Sequence, residues 1–415
     1  MNILIFEQPT RNRGDESAHR GLVHKLISAY PEARIVVLFY GNEQSEVEDL
    51  RVVADNVFYI NIPLRCRTFS PARLYKLCMM LRMPRLLYWV PASRKYLKFI
   101  READLIVGAP GGIEMGGFMG WSHLALLWLV KMEKKPLAYY GRSIGPFSTS
   151  SYFTKLFRKY SLELLNYFSF VSLRDAKSQQ TALGLGVNYV ETIDSAFLRD
   201  ETEAAPASFM EELGKSGYFV FVPNSLAWHP AYKENYSYED FKNVWVTLAD
   251  ALLKAYPDYK MVMLPQTTFI SWIPDGYNYF VEIRKSCCDP ERIVVLEEQY
   301  GSDIQQGIIS RSRFLVGARY HSVIFSINQN VPFVSLSYEH KMSGVLQLLG
   351  KEDCEVSVER FFKGKTMSEV GLSAFVKAVL DKTFTIRPDE PAKMKAARIA
   401  QEGFVKFQKT VKGIL

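Results

Sequence analysis

The sequence predicts an α/β protein of two doubly wound, Rossmann-like domains facing each other across a cleft. Three observations lead there. The length, 415 residues, exceeds what one hydrophobic core usually organises. Short β-rich runs alternate with amphipathic helical stretches along most of the chain, which means parallel sheets with crossover helices. One stretch, residues 199–217, breaks that rhythm.

In the first half the strand-like runs are 2–6, 34–40, 55–63, 104–107, 137–140 and 168–173, with helical patterns at 15–30, 121–131 and 152–166. The stretch RDETEAAPASFMEELGKSG carries acidic residues, alanines and a proline and lacks strand character, so it is the linker candidate. Strands resume at 218–222, 260–264, 293–296, 314–316 and 333–337, with helices at 238–255, 303–310 and 322–329. The chain from Pro391 reads as a basic amphipathic helix. The expected division is therefore 1–200, 216–385 and a terminal helix over 386–415. In open α/β sheets ligands bind beyond the carboxyl ends of the strands, so functional residues are sought in the loops that follow them.

Apolar residues at 48% and charged residues at 23% exclude a disordered chain. From 65 to 101 there are ten basic residues and no acidic one, interleaved with Leu74, Leu77, Met79, Leu81, Leu86, Leu87, Tyr88 and Trp89. Such asymmetry predicts an anionic partner. A helical surface of this kind suits the cytoplasmic face of an anionic membrane, and equally a solvated basic face packed by its apolar side. Nucleic acid is not expected, since no recognition motif accompanies the charge. The five cysteines form no CxxC pair and no Cys/His cluster, so a reduced compartment without structural zinc is expected. The N-terminus enters a strand at once, and the longest apolar run, 124–130, is far short of a membrane span. These features predict a cytoplasmic protein that contacts the membrane, if at all, from its inner face.

No GxGxxG opens a helix after a strand, and there is no P-loop, HExxH or Asp-x-Asp pair. Dinucleotide-binding, metalloprotease and metal-dependent sugar-transfer readings lose ground. Five other segments carry chemistry. Asn12, Arg13, Gly14 and Asp15 form a turn that opens a helix, with Asp15 near the N-cap; the helix N-terminus can bind an anion or a sugar hydroxyl, and capping is the blander role. Next, GAPGGIEMGGFMGW holds six glycines, including Gly111 and Gly112, so the backbone can approach a ligand, and Glu114 within it is a candidate base or hydroxyl acceptor. Arg142 and Arg174 each follow a strand, where a fork of donors suits a carboxylate or phosphate, or else a structural ion pair. The most specific segment runs from Phe314 to Leu346: Gly317, Arg319 and His321 arrive at the start of a helix, and Ser337, Tyr338, Glu339, His340 and Lys341 lie at the end of the next strand. Guanidinium, imidazole, ammonium and a helix N-terminus converging at a sheet's rim make an anion site with a proton donor in it.

These segments in this order resemble the polysaccharide pyruvyl transferase family. The resemblance rests on the Asn-x-Gly-Asp turn, the glycine loop, Gly141 to Pro146, Ser172 to Asp175, Asp194 to Phe197, Leu264-Pro265-Gln266, and above all Gly317-x-Arg319-x-His321 followed by Tyr338 and Lys341. It implies a GT-B-like fold and transfer of the pyruvyl group of phosphoenolpyruvate, as donor substrate with no cofactor, onto a hexose such as galactose of a lipid-linked surface-polysaccharide precursor. On that resemblance Arg319, His321, Arg174, Lys341 and Ser337 bind the donor. Asn12, Gly14, Asp15, Gly111, Gly112, Glu114, Arg142 and Gln266 face the acceptor. Arg142 stands where the family more often has glutamine, and Trp228-His229 belongs to no matched motif.

Forming a ketal from an enol phosphate needs an acid, a base and cations. His321 is the expected acid, Arg319 and Lys341 the charge clamps, Glu114 or Asp15 the hydroxyl base, and no metal is required by this set. Two rival readings remain: a GT-B glycosyltransferase using a nucleotide sugar, and a non-catalytic glycan or membrane adaptor that has kept the fold.

Overall fold

Apart from one isolated bridge, every strand pairing among the described residues is parallel. The computed structural model describes all residues except 40–47, 49, 63–70, 118, 268–275, 298, 363–367 and 415. The chain divides into two compact units: Met1–Thr10, Asp15–Arg199 and Ala397–Leu415 form one, Arg11–Gly14 and Asp200–Ala396 the other.

The first unit holds β1 (Asn2–Gln8), β2 (Arg34–Phe39), β3 (Val57–Asn61), β4 (Leu105–Gly108), β5 (Gly111–Met115), β6 (Leu137–Ile144), β7 (Phe170–Leu173) and β8 (Val190–Glu191). Their order is β3-β2-β1-β4-β6-β7-β8, with β5 beside β6. The central strands read as nearly unbroken apolar runs because helices cover both faces. Alternate residues go to opposite cores: Leu4, Phe6 and Ile106 to one, Ile3, Ile5 and Val107 to the other. The first core takes the helix Trp121–Met132, whose apolar run is buried nearly all round. The second takes Phe404, Phe407 and Val411, so the helix Glu390–Ile414 is held to the first unit by an apolar stripe, not only presented as a basic face. Its residues before 397 cluster with the second unit.

The second unit holds β9 (Gly217–Val222), β10 (Tyr259–Met263), β11 (Ile293–Val295), β12 (Leu315–Gly317), β13 (Phe333–Ser337) and β14 (Glu355–Ser357), ordered β11-β10-β9-β12-β13-β14. Each unit winds outward from its first strand in one direction, then returns to build the other half. The switch points lie between β1 and β4 and between β9 and β12. The carboxyl ends flanking such a point are where open α/β sheets bind ligands.

Local structure departs from expectation in three places. The glycine-rich loop contains β5, which pairs with the end of β6 through two register shifts. The expected linker contains a helix, Ala207–Leu213, that buries Phe209 and Leu213. The first helix starts at Arg13 and not at 15, and its cap is Asn12, whose Oδ1 accepts the Gly14 N–H at 2.8 Å; Asp15 sits in the first turn, beside Glu16, where carboxylates complement the helix dipole.

Candidate active site

Each switch point carries a cluster of polar side chains. In the second unit, β12 ends at Gly317, and Arg319 is the N-cap of the helix Tyr320–Asn328, with extended backbone at φ −127°. The Ser322 hydroxyl donates to the Arg319 carbonyl at 2.7 Å, which fixes the strand-to-helix corner. Ser322 Oγ lies where a Cβ on Gly317 would project, so glycine is required there. The Arg319 guanidinium donates to Thr267 Oγ1 at 3.3 Å, beyond the end of β10. Both Arg319 and His321 are buried, at 8% and 6% exposure.

The turn Arg11–Gly14 belongs to this cluster. The Arg13 N–H donates to the Gln266 carbonyl at 2.9 Å, and Asn12 bridges Thr267 in antiparallel register. Gly14 packs directly against the His321 ring. Asn12, Gly14 and Gln266, expected on the acceptor side, are thus brought to Arg319 and His321, while Asp15 clusters with the first unit.

The rest of the expected donor set is arranged differently. Ser337, at the end of β13, is hydrogen-bonded to Ser335 at 3.0 Å. Lys341 lies 3.2 Å from Glu339, so its charge as a clamp is offset by a carboxylate whose side chain is 5% exposed. Burial raises the Glu339 pKa, but Lys341 and His229 outweigh it and the net shift is downward. His229, from the Trp228-His229 segment without a family match, follows β9; its Nε2 lies 3.9 Å from Glu339 and its ring packs edge-on against Tyr338. Burial, opposed by Glu339, lowers its pKa. Sequence reasoning missed this pair, although a histidine and a carboxylate after two strands of one sheet were signals of it.

Arg174, expected as a donor ligand or else in a structural ion pair, makes such a pair. It lies in the first unit at 1% exposure, with Nη1 2.5 Å from Asp194 and Nε donating to Ser143 at 3.0 Å. Asp175 beside it caps the next helix through the Ser178 N–H at 2.8 Å and accepts from the Ser143 hydroxyl. These contacts pair the Arg174 charge with Asp194 and brace the ends of β6 and β7.

The first unit has its own cavity, about 550 Å³, at the carboxyl ends of β1, β5 and β6, lined among others by Glu7, Arg73, Glu114, Met119, His123 and Arg142. Gly111 faces Arg142, and a Cβ there would strike the guanidinium; nothing lies near the equivalent point of Gly112. Arg142 is fully enclosed, donates to His123 Nε2 at 3.2 Å and lies over the Tyr139 ring at 5.1 Å. Burial depresses its pKa, but Tyr139, Glu114 and Glu7 reverse this and raise it. Glu7 and His123 were not singled out from the sequence.

Among the described residues no three His, Cys, Asp or Glu side chains are placed to hold a metal ion, and no helix is long and apolar enough to cross a membrane.

Comparisons with known proteins agree with this layout. The model of the family described as polysaccharide pyruvyl transferase matches residues 12–340. The amylovoran biosynthesis protein AmsJ of Erwinia amylovora is 24% identical over 280 residues, covering 65% of this chain and 64% of that protein, so the match spans less than two thirds of the relative's length. The UDP-GlcNAc 2-epimerase of Methanocaldococcus jannaschii superposes with a TM-score of 0.56 at 12% identity, over 98% of this chain and all of that one. A UDP-glucose: anthocyanidin 3-O-glucosyltransferase in complex with UDP gives 0.56 at 13% identity, with 99% of each chain covered. At such identities the likeness carries the fold alone, the GT-B-like pair of doubly wound units expected from the sequence. Because the family model covers most of its length, the chain belongs to the polysaccharide pyruvyl transferase family.

Proposed function

We propose that this protein transfers the pyruvyl group of phosphoenolpyruvate onto two hydroxyls of a sugar, a hexose such as galactose, in a lipid-linked surface-polysaccharide precursor. The observation that carries this reading is the cluster of Arg319, His321 and Thr267 at the switch point of the second unit. Phosphoenolpyruvate holds a phosphate and a carboxylate on adjacent positions of a small skeleton. A guanidinium fork beside a helix N-terminus matches such an anion.

The reaction consumes two hydroxyl protons. It adds one to the methylene carbon and releases the other with phosphate. His321 is positioned as the proton donor on the donor side, and Arg319 neutralises the anion in a buried setting where its charge is weakly screened. Glu114 and Arg142, at the cavity of the first unit, provide for the acceptor.

The same cavity is bordered by Arg73 and Lys76 of the helix Pro71–Met80, and Leu77 and Leu81 nearby in sequence are exposed, as is Trp89 at 75%. Cations with exposed leucine and tryptophan favour docking at an anionic membrane surface, where a lipid-linked acceptor resides. Residues 65–70 of that basic stretch lie outside the described residues.

The test is incubation with phosphoenolpyruvate and a panel of galactosides, mannosides and N-acetylhexosamines, with phosphate assayed and acceptor mass recorded. The expected result is phosphate release coupled to a gain of one pyruvate less one water. A parallel arm with UDP-sugars addresses the glycosyltransferase alternative, and sugar transfer from those donors without use of phosphoenolpyruvate overturns the proposal.

A further inference from the structure

Glu7 is a buried carboxylate, at 7% exposure, in an unusual backbone state. Its φ is +60°, the left-handed region that side chains other than glycine rarely adopt. The β1–β2 register slips between Ile5 and Gln8, so Glu7 sits in a bulge. A bulge re-aims a side chain, and bulges gather beside active sites. Here the carboxylate turns to His123, with Oε2 2.8 Å from Nδ1. His123 comes from the first turn of the helix Trp121–Met132 and lines the same cavity. A second irregularity, between Tyr139 and Arg142 of β6 with Gly141 at φ +58°, brings Arg142 to the other ring nitrogen.

Because arginine only donates, its contact makes Nε2 the acceptor and places the ring proton on Nδ1, toward Glu7. An imidazole set in that tautomer by the Arg142 contact, with a carboxylate 2.8 Å from Nδ1 and Nε2 at a cavity, is arranged to take a proton. The Arg142 contact, at 3.2 Å, is long. A hydroxyl entering there exchanges it for its own O–H···Nε2 bond and receives an Arg142 N–H on the oxygen. Besides Arg142, the charged groups lining this cavity are Glu114, Arg73 and Lys76, and Tyr139 Oη lies 3.3 Å from Nε2.

We infer that Glu7 and His123 form the proton acceptor for the sugar hydroxyl, a role the residue types alone assigned to Glu114 or Asp15. This rests on the pyruvyl-transfer reading. In the step, the hydroxyl proton passes to His123 Nε2 and the oxygen pair forms the bond to the central carbon of the enol phosphate. The carbon–carbon π pair takes a proton at the methylene from the donor-side acid. The Nδ1 proton stays on the ring, where the nearby Glu7 charge stabilises the imidazolium, and the imidazolium then returns the proton taken at Nε2 through water. On the second hydroxyl's attack the carbon–oxygen bond to phosphate breaks, its electron pair leaves with the phosphate, and one proton goes with it.

The experiment compares wild type with His123→Ala and the isosteric Glu7→Gln, each checked for a native melting profile. Phosphate release is followed at saturating phosphoenolpyruvate and acceptor, and phosphoenolpyruvate binding by calorimetry. The expected result for His123→Ala is a kcat about 10²–10⁴-fold lower, phosphoenolpyruvate affinity within about twofold of wild type, and partial restoration by added imidazole. Glu7→Gln is expected to lose at least about tenfold in kcat. A His123→Ala turnover within about threefold of wild type overturns the inference, as does a loss that imidazole leaves untouched while Glu7→Gln turns over normally. If wild type itself releases no phosphate with any acceptor, the pyruvyl-transfer reading falls first and this inference with it.

Discussion

Gly14 and His321 are in such close contact that a Cβ on Gly14 would fall inside the imidazole ring. The turn that carries Gly14 is pinned by the Arg13 bond to Gln266 and the Asn12 bridge to Thr267, so it has little freedom to withdraw. The Asn-x-Gly-Asp motif is thus more than a helix start. Its glycine allows backbone to lie against the ring of the candidate acid, and its asparagine caps the helix.

Gly14→Ala is therefore expected to displace His321. Overpacking of this kind costs about 1–3 kcal/mol, and kcat/KM for phosphoenolpyruvate should fall by at least about tenfold. Thermal denaturation and steady-state kinetics check both; unchanged kinetics would show that the ring has room to move.

Thr267→Val keeps the side-chain shape and removes the acceptor for Arg319. A hydrogen bond to a charged group contributes about 1.5–3 kcal/mol, so the KM for phosphoenolpyruvate should rise about tenfold or more, with the melting temperature little changed. An unaltered KM would mean that Arg319 is oriented without Thr267.

Arg174→Met leaves Asp194 buried at 0% exposure of its side chain with its charge uncompensated. Breaking a buried pair from one side costs about 3–5 kcal/mol. Adding Asp194→Leu to it should recover much of that loss, because the stranded charge is then gone. Denaturant melts of the single and double variants decide; a stable single variant with weakened phosphoenolpyruvate binding would restore the ligand role.

His19 sets a pH limit on stability. Burial, reinforced by Arg20 and His24, pushes its imidazole from the ordinary 6.5 to about 3, where it bridges Gln8 and Tyr59 uncharged. Its folded pKa is depressed, so below 6.5 the unfolded chain takes up a proton that the folded chain refuses. Stability therefore falls as pH drops from 6.5 toward 3, by up to about 1.4 kcal/mol per pH unit from this group. Denaturant titrations of wild type and His19→Gln between pH 7 and about 4 should show a shallower slope in the variant; parallel slopes would place the acid sensitivity elsewhere.

The fold class was legible because its signal is local and repeated. Strands buried on both faces must be apolar along their length, and their alternation with helices is visible without tertiary information. The Arg319 and His321 segment was legible for a related reason: one strand-to-helix corner delivers both residues, so their proximity is written in consecutive positions. β5 was not, because glycine-rich sequence has no strand preference of its own and is extended here by pairing with β6.

By itself, then, the sequence determined two parallel α/β units, the family, and a cationic corner after β12. Only the tertiary structure decided which charges remain available to a ligand. Arg174 is neutralised by Asp194, Lys341 is offset by Glu339, Gly14 is set against His321, and Glu7 meets His123 through a bulge. All but the Lys341–Glu339 pair are contacts between positions distant along the chain. Electrostatic availability depends on distance and burial, which spacing along the chain does not encode.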